Sequence, residues 1–342
     1  MTELHVFDVS AVVYTGDKGR KEMWYDLPVG GIRYFMRYVS SALVAKESIV
    51  LCFDSPSFRN ELFSEYKSGR YKDQAVISQI ETLYENLQSC GIRCYKVDGY
   101  EADDIIDWAV KQNVGNFYQT TIYGNDYDLC HSIQPRVIFK TVRDDMNNIH
   151  PGNFETGIYK GKRIKFNTIS AYKVFCGCFS DKIPSMNLAS GVGGLALYNK
   201  FLNFIQLYGC VGKLNLLTNP KLPVIFAEAA GIFTSEELEE LKRRVRLVYP
   251  ANIPDGMTIV PTAAKDVDLE RLAHFLSLYN DFDSLRCLQL RKRNLDDEDK
   301  KLLLQKAKAF KTGEFAADHS ITPEFDKVKT STLSLDAFTR EF

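Results

Sequence analysis

The sequence predicts an α/β protein with a mostly parallel central sheet flanked by helices. Three observations lead there. Short apolar runs of strand length recur at residues 5–10, 48–54, 92–97 and 117–123. Stripes with helical period lie between them, and strands that alternate with helices build a parallel sheet. Carboxylates cluster just after the strands, where open α/β sheets place their ligands.

The first run, His5-Val6-Phe7-Asp8-Val9-Ser10, reads as a short buried strand ending in an acid. Leu27-Pro28-Val29-Gly30-Gly31 then leads into a helix with apolar residues at 32, 35, 36 and 39. The glycine pair lets the backbone approach something closely. Arg33, Tyr34, Arg37 and Tyr38 lie off that stripe, and Arg interleaved with Tyr suits a stacked, phosphate-bearing strand. The second strand closes on Asp54. A basic, aromatic segment follows, with Arg59, Tyr66, Lys67, Arg70, Tyr71 and Lys72 interspersed with Glu61, Glu65 and Asp73. Residues 74–87 form an amphipathic helix.

The third strand delivers Gly99-Tyr100-Glu101-Ala102-Asp103-Asp104-Ile105-Ile106. Acids favour the first turn of a helix, where the macrodipole is positive. Three carboxylates at the mouth of a buried helix also repel one another unless a cation sits among them. Taken alone, the cluster fits a metal site or a solvated helix start. The fourth strand adds Asp126-Tyr127-Asp128. Asp8, Asp54, Glu101, Asp103, Asp104, Asp126 and Asp128 therefore gather at one end of one sheet, which is costly without metal. Hard cations on oxygen ligands, Mg²⁺ or Mn²⁺, answer that cost. Two of them about 4 Å apart would clamp an in-line attack on a phosphodiester.

Residues 133–165 are less regular, with turn markers at Asp144, Asp145, Asn147, Asn148, His150, Pro151 and Gly152 and a basic stretch from 160 to 165. A helix over 169–175, the turn-rich 176–184 and Gly191-Val192-Gly193-Gly194 then suggest a helix–loop–helix phosphate cradle. Further helices are expected over 195–208, 235–248 and 269–279. Beyond about 290 the chain is charged, as in a solvated helix or flexible tail. Leu333, Leu335, Phe338 and Phe342 near its end call either for a partner groove or for packing back on the chain's own body.

The 342 residues are 45% hydrophobic and 25% charged, as in an ordinary globular protein of two small domains or one large one. The net charge of −1 supplies no general basic field, so nucleic acid has to be met by a local patch. The eight cysteines show no zinc-finger spacing and read as free thiols, Cys52 as core packing. No apolar run nears the ~20 residues that span a bilayer. The amino terminus lacks a signal-peptide pattern, so a cytoplasmic, membrane-free protein is expected.

In this order the motifs resemble the structure-specific 5′-nuclease superfamily: flap endonucleases, the 5′-nuclease domains of bacterial DNA polymerase I, and bacteriophage 5′→3′ exonucleases of the RNase H type. The resemblance runs from residue 1 to about 215, and the phage members look most similar. It rests on Val6-Phe7-Asp8, on Phe53-Asp54-Ser55 with Phe58-Arg59 and Tyr66-Lys67-x-x-Arg70, and on Gly99 to Asp104, the most specific stretch. Asp126-x-Asp128-Leu129 and Ser180-Asp181-Lys182-Ile183-Pro184 with Gly191-Val192-Gly193 complete it.

The resemblance implies a PIN-like catalytic domain over 1–170 with a helical arch at about 55–85. It implies a helical, duplex-binding region over 171–290 with a helix–three-turn–helix element at about 171–205, and a charged tail over 291–342. It implies two Mg²⁺ or Mn²⁺ ions on Asp8, Asp54, Glu101, Asp103, Asp104, Asp126, Asp128 and Asp181, and K⁺ at the helix–three-turn–helix. Lys67 and Arg70 would meet the scissile phosphate. Arg33, Tyr34, Arg59, Tyr66, Gly191, Gly193 and Lys200 would meet nucleic acid, with Tyr34 or Tyr66 stacking a base and Gly30-Gly31 near the branch point. The implied activity is 5′→3′ exonuclease or flap endonuclease, in a monomer acting on DNA 5′ ends, flaps or primer junctions, RNA/DNA hybrids included. Residues 331–342 resemble peptides that dock on a sliding clamp; a single-strand-binding protein is the other expected partner. Two positions depart from the pattern. Cys178 stands where the family has an Asp, and a thiol is a poor Mg²⁺ ligand. Leu195 stands where it has a Lys, with Lys200 the nearest replacement. The rival readings are a non-catalytic DNA-binding scaffold and a PIN-type ribonuclease.

Overall fold

The computed structural model describes residues 2–24, 27–71, 73–142, 148–151, 158–159, 162–164, 166–207, 219–253 and 256–293. The expected turn at 144, 145, 147 and 152, the basic positions 160, 161 and 165, and the tail beyond 293 with its 331–342 peptide lie outside them.

The strand β1 (Leu4–Asp8) is buried along its whole length because it has a partner on each side. It runs parallel to β4 (Ser48–Phe53) and to β6 (Thr120–Gly124), with Asp8 level with Cys52 and Phe7 level with Tyr123. Strands buried on both faces read as continuous apolar runs, as these three do. Parallel connections need crossovers, which the helices supply. They are α1 (Val9–Arg20) and α2 (Gly30–Val44) between β1 and β4, and α3 (Arg59–Leu62) and α4 (Gln74–Ser89) before β5 (Cys94–Lys96). The crossover α5 (Ala102–Asn113) precedes β6. Small hairpin strands β2 (Met23–Trp24) and β3 (Leu27–Pro28) lie between α1 and α2. On the far side β7 (Val137–Thr141) pairs parallel with β6, and β8 (Asn148–Ile149) antiparallel with β7. The pair β9 (Ile158–Tyr159) and β10 (Lys162–Arg163) stands apart.

The rest of the compact unit, which reaches Leu288, is helical. It comprises α6 (Ile169–Cys176), α7 (Gly194–Leu207), α8 (Leu222–Ala230) and α9 (Ser235–Val248), then, after a short strand, α10 (Leu269–Leu278) and α11 (Phe282–Arg293). The short strand β11 (Thr262–Ala263) returns to the sheet antiparallel to the first residues of β4, while β5 pairs with its last three. One outer edge of β4 is thus shared by two strands far apart in sequence.

The predicted strand 5–10 stops at Asp8 because Asp8 turns the chain into α1, its side chain accepting the Ala11 amide. The predicted arch segment comprises the four-residue α3, turns through residue 69, and then α4. The Gly30-Gly31 pair is buried, and its close approach is internal. A Cβ on Gly31 would stand 2.8 Å from the Val13 carbonyl oxygen of α1. Gln79 of α4 accepts the Gly31 and Ile32 amides and caps α2 from outside.

Candidate active site

All parallel strands of the central group end at one edge, and the chain's acids follow them there. Asp8 closes β1, Asp54 follows β4, and Gly99-Tyr100-Glu101 leads from β5 into α5. Asp126 caps the 3₁₀ turn after β6, accepting the Asp128 amide. Asp181 joins them from the loop between α6 and α7. That loop is held by mutual backbone bonds between Cys178 and Ile183, 2.8 and 2.9 Å. It docks on the 62–70 segment through the Lys67 amide to the Asp181 carbonyl and the Arg70 guanidinium to the Ser180 carbonyl. One pocket results, lined by Glu101, Asp103, Asp126, Asp128 and Asp181 together with Lys67 and Lys173.

Its electrostatics are lopsided. Burial, and then the charge of Asp54, push the Asp8 carboxyl up to about 7. Burial and the charges of Asp8 and Asp126 hold Asp103 well above the carboxylate range. Asp103 and Asp8 are thus held where ionisation is opposed, which is the cost a bound cation removes. The second group differs. Burial and Asp126 push Asp128 up to about 7. Asp126 itself, its side chain 44% exposed, is drawn below its ordinary value by Lys173 although desolvation opposes its charge. The Lys173 side chain is 3% exposed and its ammonium sits on Asp128 and, at 3.4 Å, on Asp126. Arg70 pairs with Asp181. The Cys178 sulfur is 3.0 Å from the Ser180 hydroxyl, and burial pushes its thiol up.

Several expected residues have other work. Asp104, expected among the metal ligands, is fully buried and saturated. One oxygen accepts from Arg59 at 2.7 Å and the Ala251 amide at 2.7 Å; the other accepts from Arg59 at 2.8 Å and the Glu101 amide at 3.0 Å. Arg59, expected on nucleic acid, is 3% exposed and also donates to the Leu247 and Tyr249 carbonyls, 3.0 Å each. Tyr66, expected to stack a base, is buried with its hydroxyl 3.0 Å from Glu101. The Tyr34 hydroxyl donates to the Val142 carbonyl, and Arg33 binds Glu22 and the Tyr279 carbonyl. Each of them thus has partners inside the fold, although one buried Arg33 guanidinium nitrogen has no hydrogen-bond partner among the described residues. Gly191 and Lys200 are exposed and Gly193 half-buried, on the loop and first turns of α7. Lys67 reaches Glu101 at 2.6 Å from a left-handed backbone position, φ 51°.

Sequence reasoning missed the buried Lys173 and His131, whose side chain is 5% exposed, both lining the pocket. Among the described residues, the one trio of metal-ligating groups within 4.8 Å is Glu3, His5 and Glu47. It sits at the amino ends of β1 and β4, the opposite edge from the pocket. There the Tyr123 hydroxyl and the Glu47 carboxylate engage both His5 ring nitrogens. No helix among the described residues is long and apolar enough to cross a membrane.

Residues 9–158 match the family model described as the 5′-3′ exonuclease N-terminal resolvase-like domain. The DNA polymerase I of Borreliella burgdorferi is 28% identical over 206 residues, which cover 59% of this chain and 22% of the polymerase. The 5′-3′ exonuclease of Buchnera aphidicola subsp. Acyrthosiphon pisum is 29% identical over 210 residues, 59% of this chain and 67% of that protein. The chain thus spans about a fifth of the polymerase and about two thirds of the exonuclease. Among solved structures, zinc-bound T5 5′-exonuclease aligns with a TM-score of 0.48 at 15% identity, covering 72% of this chain and 99% of that one.

Proposed function

We propose, for a chain that belongs to the 5′-3′ exonuclease family, that it is a metal-dependent nuclease cutting phosphodiesters near DNA 5′ ends or branch points. The observation that carries this reading is the convergence of Asp8, Asp54, Glu101 and Asp103 on one edge of the sheet, where burial and the charge of Asp54 push Asp8 up, and burial and the charge of Asp8 push Asp103 up. The donors are all oxygen, which suits Mg²⁺ or Mn²⁺ rather than a softer metal. An ion held there supplies a lowered water pKa and positive charge opposite the reacting phosphate.

The chain's own groups do the rest. Lys67 and Arg70 stand at the pocket's rim, about a quarter and under half exposed. They meet the scissile phosphate and offset the charge that grows on its oxygens. Glu101 holds Lys67 until substrate arrives. In hydrolysis a water oxygen bonds to phosphorus, the phosphorus–oxygen bond to the leaving strand breaks, and the proton released by the water passes to solvent or the leaving oxygen. Base stacking, worth roughly 1–3 kcal/mol per base, falls to Tyr71 and Phe179, 85% and 84% exposed, in place of the buried Tyr66. Gly191, Gly193 and Lys200 grip duplex phosphates, aided by K⁺. Residues 331–342 dock on a sliding clamp; equal clamp retention of full-length and truncated protein in a pull-down would dismiss that part.

The test uses a 5′-labelled flap and a 5′-recessed duplex with Mg²⁺, Mn²⁺ or EDTA. Metal-dependent cutting is expected, and product length separates flap from exonucleolytic action. Absence of cutting in every metal, with DNA binding intact, would overturn the nuclease reading in favour of a scaffold.

A further inference from the structure

We propose that Lys173 is a built-in cation that takes the place of a second metal ion, so that this nuclease centre holds one divalent ion. The inference deepens the metal-dependent reading above and rests on it. It comes from how charge is compensated on the two sides of the pocket.

On the first side five carboxylates, Asp8, Asp54, Glu101, Asp103 and Asp104, meet two cations, Arg59 and Lys67. Arg59 is taken up by Asp104 and, at 3.3 Å, Glu101. Asp103 has no hydrogen-bond or ion-pair partner among the described residues, so oxygen ligands stay open for an ion. On the second side three carboxylates, Asp126, Asp128 and Asp181, already meet two cations, Lys173 and Arg70. A divalent ion added there would turn a near-neutral group into a positive one and would press against a buried ammonium. Lys173 cannot swing away: its side chain is 3% exposed and α6 is packed on every side around it. Cys178, three residues before Asp181 on the same loop, places a soft sulfur against the Ser180 hydroxyl and offers a hard ion nothing. The ammonium bridges the two acids that would otherwise share the second ion. It leaves one buried Asp128 oxygen without a hydrogen-bond partner among the described residues.

The ammonium is a fixed positive charge of the right sign for the leaving side of the reaction, and it needs no ion to be recruited. Its charge is half that of Mg²⁺, but it carries no hydration shell to strip and is preorganised by burial.

The experiment is Mn²⁺ titration of the full-length protein, followed by calorimetry and by the EPR signal of free Mn²⁺. The expected wild-type stoichiometry is one ion. Lys173→Met is expected to bind two, the second more weakly, since removing the ammonium leaves three acids facing Arg70 alone. Asp128→Asn is expected to leave the count at one and the affinity within threefold. Two wild-type ions of affinities within tenfold would overturn the proposal, as would a Lys173→Met protein that folds and still binds one. If that variant does not fold, the wild-type count and the Asp128→Asn affinity decide; a tenfold loss in Asp128→Asn would be adverse. Binding of no ion by the wild type would instead sink the metal site itself, so the two failures are distinguishable.

Discussion

Replacing Arg59 by Met tests whether the Arg59–Asp104 pair is the structural keystone of the acidic edge. Asp104 is fully buried and Arg59 3% exposed, so water screens neither charge. The substitution deletes both charge-assisted bonds of 2.7 and 2.8 Å and leaves the carboxylate with only the Glu101 and Ala251 amides. Breaking a buried pair from one side costs about 3–5 kcal/mol, because a charge is stranded. For a body of this size each kcal/mol moves the midpoint by about 2–4 °C, so a fall of about 6–20 °C is expected. Asp104→Asn alone leaves the guanidinium with Glu101, 3.3 Å away, as its one carboxylate partner among the described residues, and should cost less than Arg59→Met. The Arg59→Met/Asp104→Asn double variant strands no charge. Its loss should fall short of the summed single losses by about 1.5 kcal/mol or more. Urea denaturation of the four proteins closes the cycle. Single losses below about 1 kcal/mol, or additivity within about 0.5 kcal/mol, would refute the reasoning.

Other expectations are more direct. Asp103→Asn should abolish cleavage while leaving DNA affinity within a few-fold, and a gel assay showing wild-type cutting would remove Asp103 from the metal side. Gly177→Ala should destabilise by more than 2 kcal/mol in urea melts. Gly177 sits at φ 79°, and a Cβ would stand 2.6 Å from the Pro184 carbonyl, so strain and clash add. His5 is held below its ordinary value by burial, against the pull of Glu47. The unfolded chain therefore takes up a proton near pH 6.5 that the native state refuses, and this part of the stability, present above that pH, is lost as pH falls through the native pKa. Thermal melts should drop between pH 7 and pH 5.5, and by less in His5→Gln; equal drops would count against it.

Much of the acidic edge was legible because strand ends are legible. An apolar run that stops at an acid gives both the element and the direction of the side chain's surroundings, and Asp8, Asp54 and Asp126 follow that rule. The basic residues were harder. Arg59 and Tyr66 occur in a stretch of Arg, Tyr and Lys that looks the same whether its partner is a phosphate or a buried carboxylate. Only the three-dimensional arrangement brings Asp104 and the 247–251 segment against Arg59. Lys173 did leave a trace. It lies within Ile-Ser-Ala-Tyr-Lys-Val-Phe-Cys, a helix with seven of eight residues buried, so a lysine there has no solvent face to occupy. Gly30-Gly31 showed correctly that something comes close, but not that it was α1.

The sharing of β4's outer edge has a consequence for the order in which a ribosome delivers this chain. By the time residue 158 has emerged, Asp8, Asp54, Glu101, Asp103 and Asp104 have all been made. The nascent protein at that length lacks Leu247, Tyr249 and Ala251, which hold the Arg59–Asp104 pair. It also lacks Thr262 and Ala263, which cover the start of β4. The start of β4's outer edge, Ser48 and Ile49, stays open, although β5 already covers its last three residues, and the acid-bearing helix lacks these later braces until about a hundred further residues have been made. Bracing of the acidic edge is in this way deferred until residues 247–263 have been made.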